Sequence, residues 1–184
     1  MNKEVDSHYK INFSTPITVA SARKLINIIK EIPDEISELH LYINSSGGSV
    51  PIALSIAKIL DALPCKIMTY NLGHCDSAAM LLFVAGQERV CDIYSTFLAH
   101  TVSIKLSGEY TLDSIRMSYL NLRRDYKNII SFLSQKTSLS SLQWQSYMTE
   151  QGHIISAQEA LDFNLVTHIV EHPIKISCDN IIKN

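Results

Sequence analysis

Short apolar runs with a two-residue period alternate along the chain with longer segments of helical period. Residues 10–15 are strand-like and stop before Pro16. Over residues 19–32 the apolar positions Ala22, Leu25, Ile26, Ile29 and Ile32 fall on one helical face, with Thr18 as N-cap. Residues 38–43 (ELHLYI) predict a strand that ends at Asn44-Ser45-Ser46-Gly47-Gly48, a loop by composition. Pro51 suits the first turn of a helix running to about Leu63, and residues 66–70 are again strand-like. Residues 77–84 are small and apolar on nearly every side, which predicts a buried helix. Gly86 stands where a left-handed C′ residue would close it.

Two more strands fit residues 89–93 and 97–104. Thr111 then caps a helix to about Gln135, in which Ile115, Tyr119, Leu122, Tyr126, Ile129 and Leu133 repeat every 3.5 residues. Packing on a partner helix and packing on the chain's own core both satisfy that period. Ser156-Ala157-Gln158-Glu159 is a capping box, its helix ends near Asn164, and residues 165–170 make a last strand. Strand and helix alternate with no internal repeat or linker, so an α/β layered fold in a single domain over residues 1–184 is expected.

Composition narrows the function classes. At 184 residues, 46% apolar and 18% charged, the chain is long enough for one real core and is not of disordered type. A formal net charge of −2, with no Lys/Arg cluster, argues against nucleic acid as a partner. The polar start MNKEVDSHYK has no signal-peptide apolar region. The longest apolar run, residues 78–85, is too short to cross a bilayer, so no membrane association and a cytoplasmic location are expected. Cys65, Cys75, Cys91 and Cys178 form no CxxC pair and no zinc spacing with histidine, so free thiols, no metal and no cofactor are expected.

Four of the six glycines lie between Gly47 and Gly86, at strand-to-helix junctions. Backbone N–H groups at such junctions are unpaired and ready to hold negative charge. NSSGGSVP offers an unencumbered backbone at Gly47-Gly48, and NLGHCDSAA offers a hydroxyl, Ser77, where the buried helix starts. A hydroxyl beside two sets of N–H groups is what acyl transfer needs: a nucleophile and an oxyanion hole. His100, at the end of a strand candidate in FLAHT, is a base that takes the hydroxyl proton and returns it to the leaving amine. Taken singly these features are a cap, a packed histidine and a turn; their order gives the combination its weight.

These segments resemble the proteolytic subunit of the Clp protease, within the wider crotonase-like superfamily. YINSSGGSV resembles that family's YINSPGG, and GHCDSAAMLLFVAG its G-x-x-A-S-M-G segment. LAHT matches its catalytic histidine segment, and ISAQEALDFNLVTHIVEH its S-A-x-E-A-x-x-x-G-L-V-D-x-I ending. The likeness runs from about Ile11 to His172. It implies a spiral of stacked ββα units with a protruding handle helix over roughly residues 101–136, and ring-type, handle-mediated homo-oligomers. It also implies a serine endopeptidase cutting peptides or unfolded protein inside an oligomeric chamber. Residue by residue, Ser77 takes the nucleophile's place, His100 the base's, and the N–H groups of Gly48 and Ala78 the oxyanion hole.

Three departures qualify the likeness. The family's catalytic aspartate falls at Gly152, which has no side chain. Glu150 is the nearby acid that would serve as third member, His153 sits beside the gap, and a backbone carbonyl or water would otherwise orient His100. His74, Cys75 and Asp76 replace small or amide residues before the nucleophile; Asp76 adds negative charge beside a developing oxyanion, and Cys75 is an alternative nucleophile. Finally, only about ten residues precede the first strand, half the family's arm, which speaks against docking to an ATPase unfoldase. Three other functions compete. One is a catalytically impaired, regulatory subunit of a peptidase assembly, motivated by Gly152. Another is an acyl-CoA enzyme of crotonase type, for which no adenine-binding region is visible. The last is a Ser–Lys peptidase drawing on Lys105 or Lys127.

Overall fold

The computed structural model of the chain describes residues 8–33, 35–172, 174 and 180–183; the first-strand arm and Cys178 lie outside them. In chain order the elements are β1 (His8–Phe13), α1 (Val19–Lys30), β2 (Glu38–Ser45), α2 (Val50–Asp61), β3 (Lys66–Cys75), α3 (Ala79–Phe83) and β4 (Glu88–Asp92). There follow β5 (Thr96–Ala99), α4 (Leu112–Lys136), α5 (Ser141–Tyr147), β6 (His153–Ser156), α6 (Ala157–Asp162), β7 (His168–Val170) and β8 (Asn180–Ile182). The strands β8-β1-β2-β3-β4-β7 pair in parallel. Past Asn71, β3 parts from β4 and meets β5 at His74, and β5 runs antiparallel to β6.

Side-chain alternation explains the layering. Leu39, Leu41 and Ile43 of β2 and Ile67 of β3 are fully buried in one cluster with Leu25 and Ile29 of α1 and Ile56 and Leu60 of α2. Each such side chain stabilises the fold by roughly 1.5–3 kcal/mol. The opposite face carries Glu38, His40 and Tyr42, with Tyr70 of β3 stacked on Tyr42 at 4.6 Å between ring centroids. The capping boxes at Thr18, Thr111 and Ser156 all form.

A buried guanidinium joins two helix ends. Arg89 donates to the carbonyls of Gly86, Asn164 and Leu165 at 3.0, 2.8 and 2.9 Å, so its charge rests on carbonyl oxygens that trail α3 and α6. Gly86 is not left-handed, contrary to expectation. A Cβ there would sit 2.5 Å from Thr69 Oγ1 and 2.9 Å from the Glu88 carbonyl, so close approach and not torsion requires glycine.

Several boundaries move because tertiary partners decide them. The predicted loop at Asn44-Ser45 continues β2, since Ser45 pairs with Cys75. The strand expected over residues 97–104 stops at Ala99, opposite His153 where its antiparallel partner β6 begins; Thr101 N–H then bonds the Thr149 carbonyl. Leu165 and Val166 belong to the cap of α6, both N–H groups donating to the Ala160 carbonyl, so the last predicted strand shrinks to β7. The 3.5-residue stripe of α4 divides: Ile129 and Leu133 are buried in the chain's own core, whereas Ile115 and Tyr119 are 50% and 59% exposed.

Candidate active site

β3 runs straight into the nucleophile candidate. Ser77 lies two residues before α3 and not inside it, with φ of 53°. Serine seldom adopts this left-handed region, and holding it there costs about 1–3 kcal/mol. Two bonds enforce the turn: Ser77 N–H donates to the Leu98 carbonyl at 2.7 Å, and Asp76 N–H to the Ser45 carbonyl at 2.9 Å. The chain then enters α3, whose five residues are all fully buried.

The Gly47-Gly48 loop packs directly on this turn. Gly47 has φ of 85°, and a Cβ on it would fall 2.6 Å from the Asp76 carbonyl and 3.0 Å from the Ala78 nitrogen. Gly48 has φ of 143°, and a Cβ on it would meet the Ile17 carbonyl at 2.3 Å. Flanking bonds, Ile17 N–H to Gly47 O and Ser49 N–H to Ile17 O, hold the loop. Among the described residues neither the Gly48 nor the Ala78 N–H finds a backbone acceptor.

Ser77, Gly48 and His100 line one cleft of about 560 Å³, lined also by Ser103, Lys105 and, from α4, Leu122 and Asp125. His100 Nδ1 lies 2.7 Å from the Thr101 carbonyl. A carbonyl only accepts, so Nδ1 carries a proton, and in the neutral ring the lone pair is then on Nε2. Among the described residues no hydrogen bond joins Ser77 Oγ to His100.

The structure places the remaining candidates unevenly. At Gly152 a Cβ would lie 3.3 Å from His100 Cβ, so the vacant position borders the imidazole. Glu150 is exposed and no hydrogen bond links it to His100. His153 instead sits 3.6 Å from Glu159 and packs on Tyr147. Cys75 is fully buried, and burial followed by the Asp76 charge pushes its thiol far above the usual range, so it is no nucleophile. Of the two lysines, Lys105 lines the cleft and Lys127 does not. Burial raises the pKa of Asp76, while His74, the Leu98 N–H and His100 pull it back down. Leu98, whose carbonyl accepts the Ser77 N–H, lies two positions before His100.

Sequence reasoning missed the cleft wall built by Ser103, Leu122 and Asp125. It comes from a segment without regular structure and from a helix distant in sequence, and no local pattern signals that approach.

Among the described residues, an α/β spiral thus sets a serine-bearing turn beside two backbone N–H groups that have no backbone acceptor, the parts that acyl transfer requires. The chain belongs to the Clp protease family, whose family model matches residues 2–173. It is 31% identical over 136 residues to the ATP-dependent Clp protease proteolytic subunit 1 of Rhodopirellula baltica, covering 72% of this chain and 58% of that protein. It is 29% identical over 152 residues to the corresponding subunit 2 of Bifidobacterium longum, covering 82% and 71%. The chain thus spans little more than half the length of the first of these relatives. A ClpP1 mutant from Listeria monocytogenes shares the fold, with a TM-score of 0.76 at 18% identity over 91% of this chain and 93% of that one. Among the described residues no helix is long and apolar enough to cross a membrane.

Proposed function

We propose that the chain is a serine endopeptidase subunit acting on peptides or unfolded protein, with Ser77 as nucleophile and His100 as general base. The observation that carries this reading is the strained Ser77 turn, which lines one cleft with Gly48 and His100, while among the described residues the Gly48 and Ala78 N–H groups have no backbone acceptor. His100 Nε2 takes the Ser77 proton as Oγ attacks the scissile carbonyl. The two N–H groups hold the oxyanion, and the same nitrogen returns the proton to the leaving amine. The Thr101 carbonyl does part of the missing aspartate's work: it sets the tautomer, but it brings no full negative charge to the imidazolium. Turnover is therefore expected to be slow.

Assembly through α4 belongs to the same reading. Ile104, Leu106, Tyr110, Leu112, Ile115, Met117, Tyr119 and Leu120 are each 41–88% exposed, a concentration of apolar surface that a second copy of the handle would cover. Treating the purified chain with a fluorophosphonate probe tests the chemistry, with Ser77→Ala as control and intact mass as readout. One adduct, absent in the control, is expected; no adduct in a fully assembled sample would sink the autonomous-peptidase reading.

A second reading, a catalytically impaired regulatory subunit, is favoured by Gly152 and by the missing Ser77–His100 hydrogen bond. Gly152→Asp separates the two. Its φ of 71° is one that aspartate tolerates, and Leu98 and His100 need shift by only tenths of an ångström. An active enzyme short of its acid should gain about 10-fold in kcat, a fraction of the ~10⁴ an orienting carboxylate supplies. A subunit that has lost its chemistry stays silent.

A further inference from the structure

The outer sheet face holds a second cluster that the peptidase reading leaves unused. His8 opens β1, and Glu38 and His40 open β2, with His8 directly opposite Glu38 in the parallel register. His8 Nδ1 and His40 Nε2 both approach the same oxygen, Glu38 Oε2, at 3.0 and 3.1 Å. All three donor atoms lie within 4.8 Å of one another. Among the described residues this is the one group of three such side chains.

We propose that His8, Glu38 and His40 form a binding site for a divalent transition ion of zinc type. Two imidazoles and one carboxylate are the donor set such a borderline ion prefers, and three protein ligands leave one tetrahedral position for water. Metal–ligand bonds of about 2.0–2.1 Å place tetrahedral donors roughly 3.3 Å apart, a few tenths of an ångström more than the 3.0 and 3.1 Å between Glu38 and the two histidines. The remaining adjustment is between the two rings, and His8, 42% exposed at the first turn of its strand, is free to make it.

The surroundings fit a metal-bound His40. Its other nitrogen, Nδ1, is 2.9 Å from the Tyr70 hydroxyl, and Tyr70 Oη has a further acceptor in Met68 Sδ at 3.8 Å. With an ion on Nε2, the ring proton sits on Nδ1 and donates to Tyr70, whose own hydrogen turns to Met68. Such an outer partner fixes the tautomer of a metal-bound histidine. Without an ion, Nε2–H donates to Glu38 and Tyr70 donates back to Nδ1, so one hydroxyl serves both states. Lys66 approaches only the other oxygen, Glu38 Oε1, at 4.0 Å, and is itself paired with Glu88, leaving Oε2 to the histidines.

The site lies at the N-terminal ends of the strands, whereas the Ser77 turn lies at their C-terminal ends. The seven steps from Glu38 to Ser45 put about 23 Å between them. An ion here ties the first strand to the second and does not touch the proposed chemistry, so the site stands whether or not the chain is a peptidase.

The test is a zinc titration of the full chain, first freed of metal with a chelator, read by calorimetry and native mass. Cobalt(II) is added separately to read coordination from its visible absorption. One ion per chain is expected, with affinity reduced at least 100-fold by His8→Ala or His40→Ala and about 10-fold by Tyr70→Phe. His100→Ala should leave this site unchanged. Glu38→Gln, nearly isosteric, guards against misfolding: it should stay folded by circular dichroism yet lose tetrahedral cobalt absorption. No binding to the wild-type chain, or binding that survives both histidine substitutions, overturns the proposal.

Discussion

Among the described residues two other than glycine hold a left-handed backbone, Ser77 at φ 53° and Asn164 at φ 52°, and their surroundings are opposite. Asn164 ends α6, belongs to the residue types that accept this conformation, and gives both its carbonyl and its Oδ1 to Arg89 at 2.8 and 3.3 Å. Its torsion serves packing. Among the described residues Ser77 has no local side-chain bond to offset the strain; its N–H donates to the Leu98 carbonyl, the Asp76 N–H before it donates to the Ser45 carbonyl, and Ser77 lines a cleft. Equal torsions therefore carry different meanings. Strain that its own residue relieves is architecture; strain imposed from outside on an unpartnered hydroxyl points to chemistry.

The sharpest test of that contrast is catalytic. Ser77→Ala should lower kcat for a fluorogenic peptide by about 100-fold, the share of a non-additive triad that is left once the acid is absent, while Asn164→Ala should leave it within roughly twofold. Equal losses would erase the distinction. Next comes stability. Arg89→Met strips donors from three carbonyls, those of Gly86 and Leu165 in buried residues, and should cost about 3 kcal/mol, lowering Tm by roughly 6–12 °C, whereas Ser77→Ala should barely move it.

A smaller effect should appear within one position. Ser77→Gly and Ser77→Ala both lack the hydroxyl, but glycine accepts the torsion, so the glycine variant should be more stable by about 1 kcal/mol in thermal unfolding. A less stable glycine variant would mean the turn is not strained.

The smallest effect concerns acid. Glu159, at the head of the helix that Asn164 ends, has its pKa held below 4.5 by the Ser156 backbone N–H, then by the Ser156 hydroxyl and His153. A depressed carboxylate stabilises above its unfolded value, and that contribution is lost as pH falls through the folded one. Asp76, raised above 3.8 by burial, has the opposite sign: its ionised form costs stability, and the cost fades as pH falls. Below its ordinary carboxylate pKa Glu159→Gln should therefore flatten the acid limb of a denaturation curve, whereas just above the ordinary aspartate value Asp76→Asn should steepen it. The reverse pattern would contradict both assignments.

What was legible in the chain follows from locality. The caps at Thr18, Thr111 and Ser156, the buried character of residues 79–83 and the αL residue Asn164 are decided within four residues of themselves, so the sequence by itself determined them. The order of loops, nucleophile turn and histidine segment was equally readable, and the α/β spiral that it implied is the fold observed. Only the tertiary structure decided the rest. The division of α4 depends on where the core ends, and the reason for Gly86 is a neighbour seventeen residues away in sequence, Thr69. The cleft wall at Asp125, the use of the Thr101 carbonyl beside an empty Gly152, and the meeting of His8 with Glu38 and His40 arise from strand register and chain reversal. Register is set by the burial of whole faces, and no short stretch of sequence contains that information.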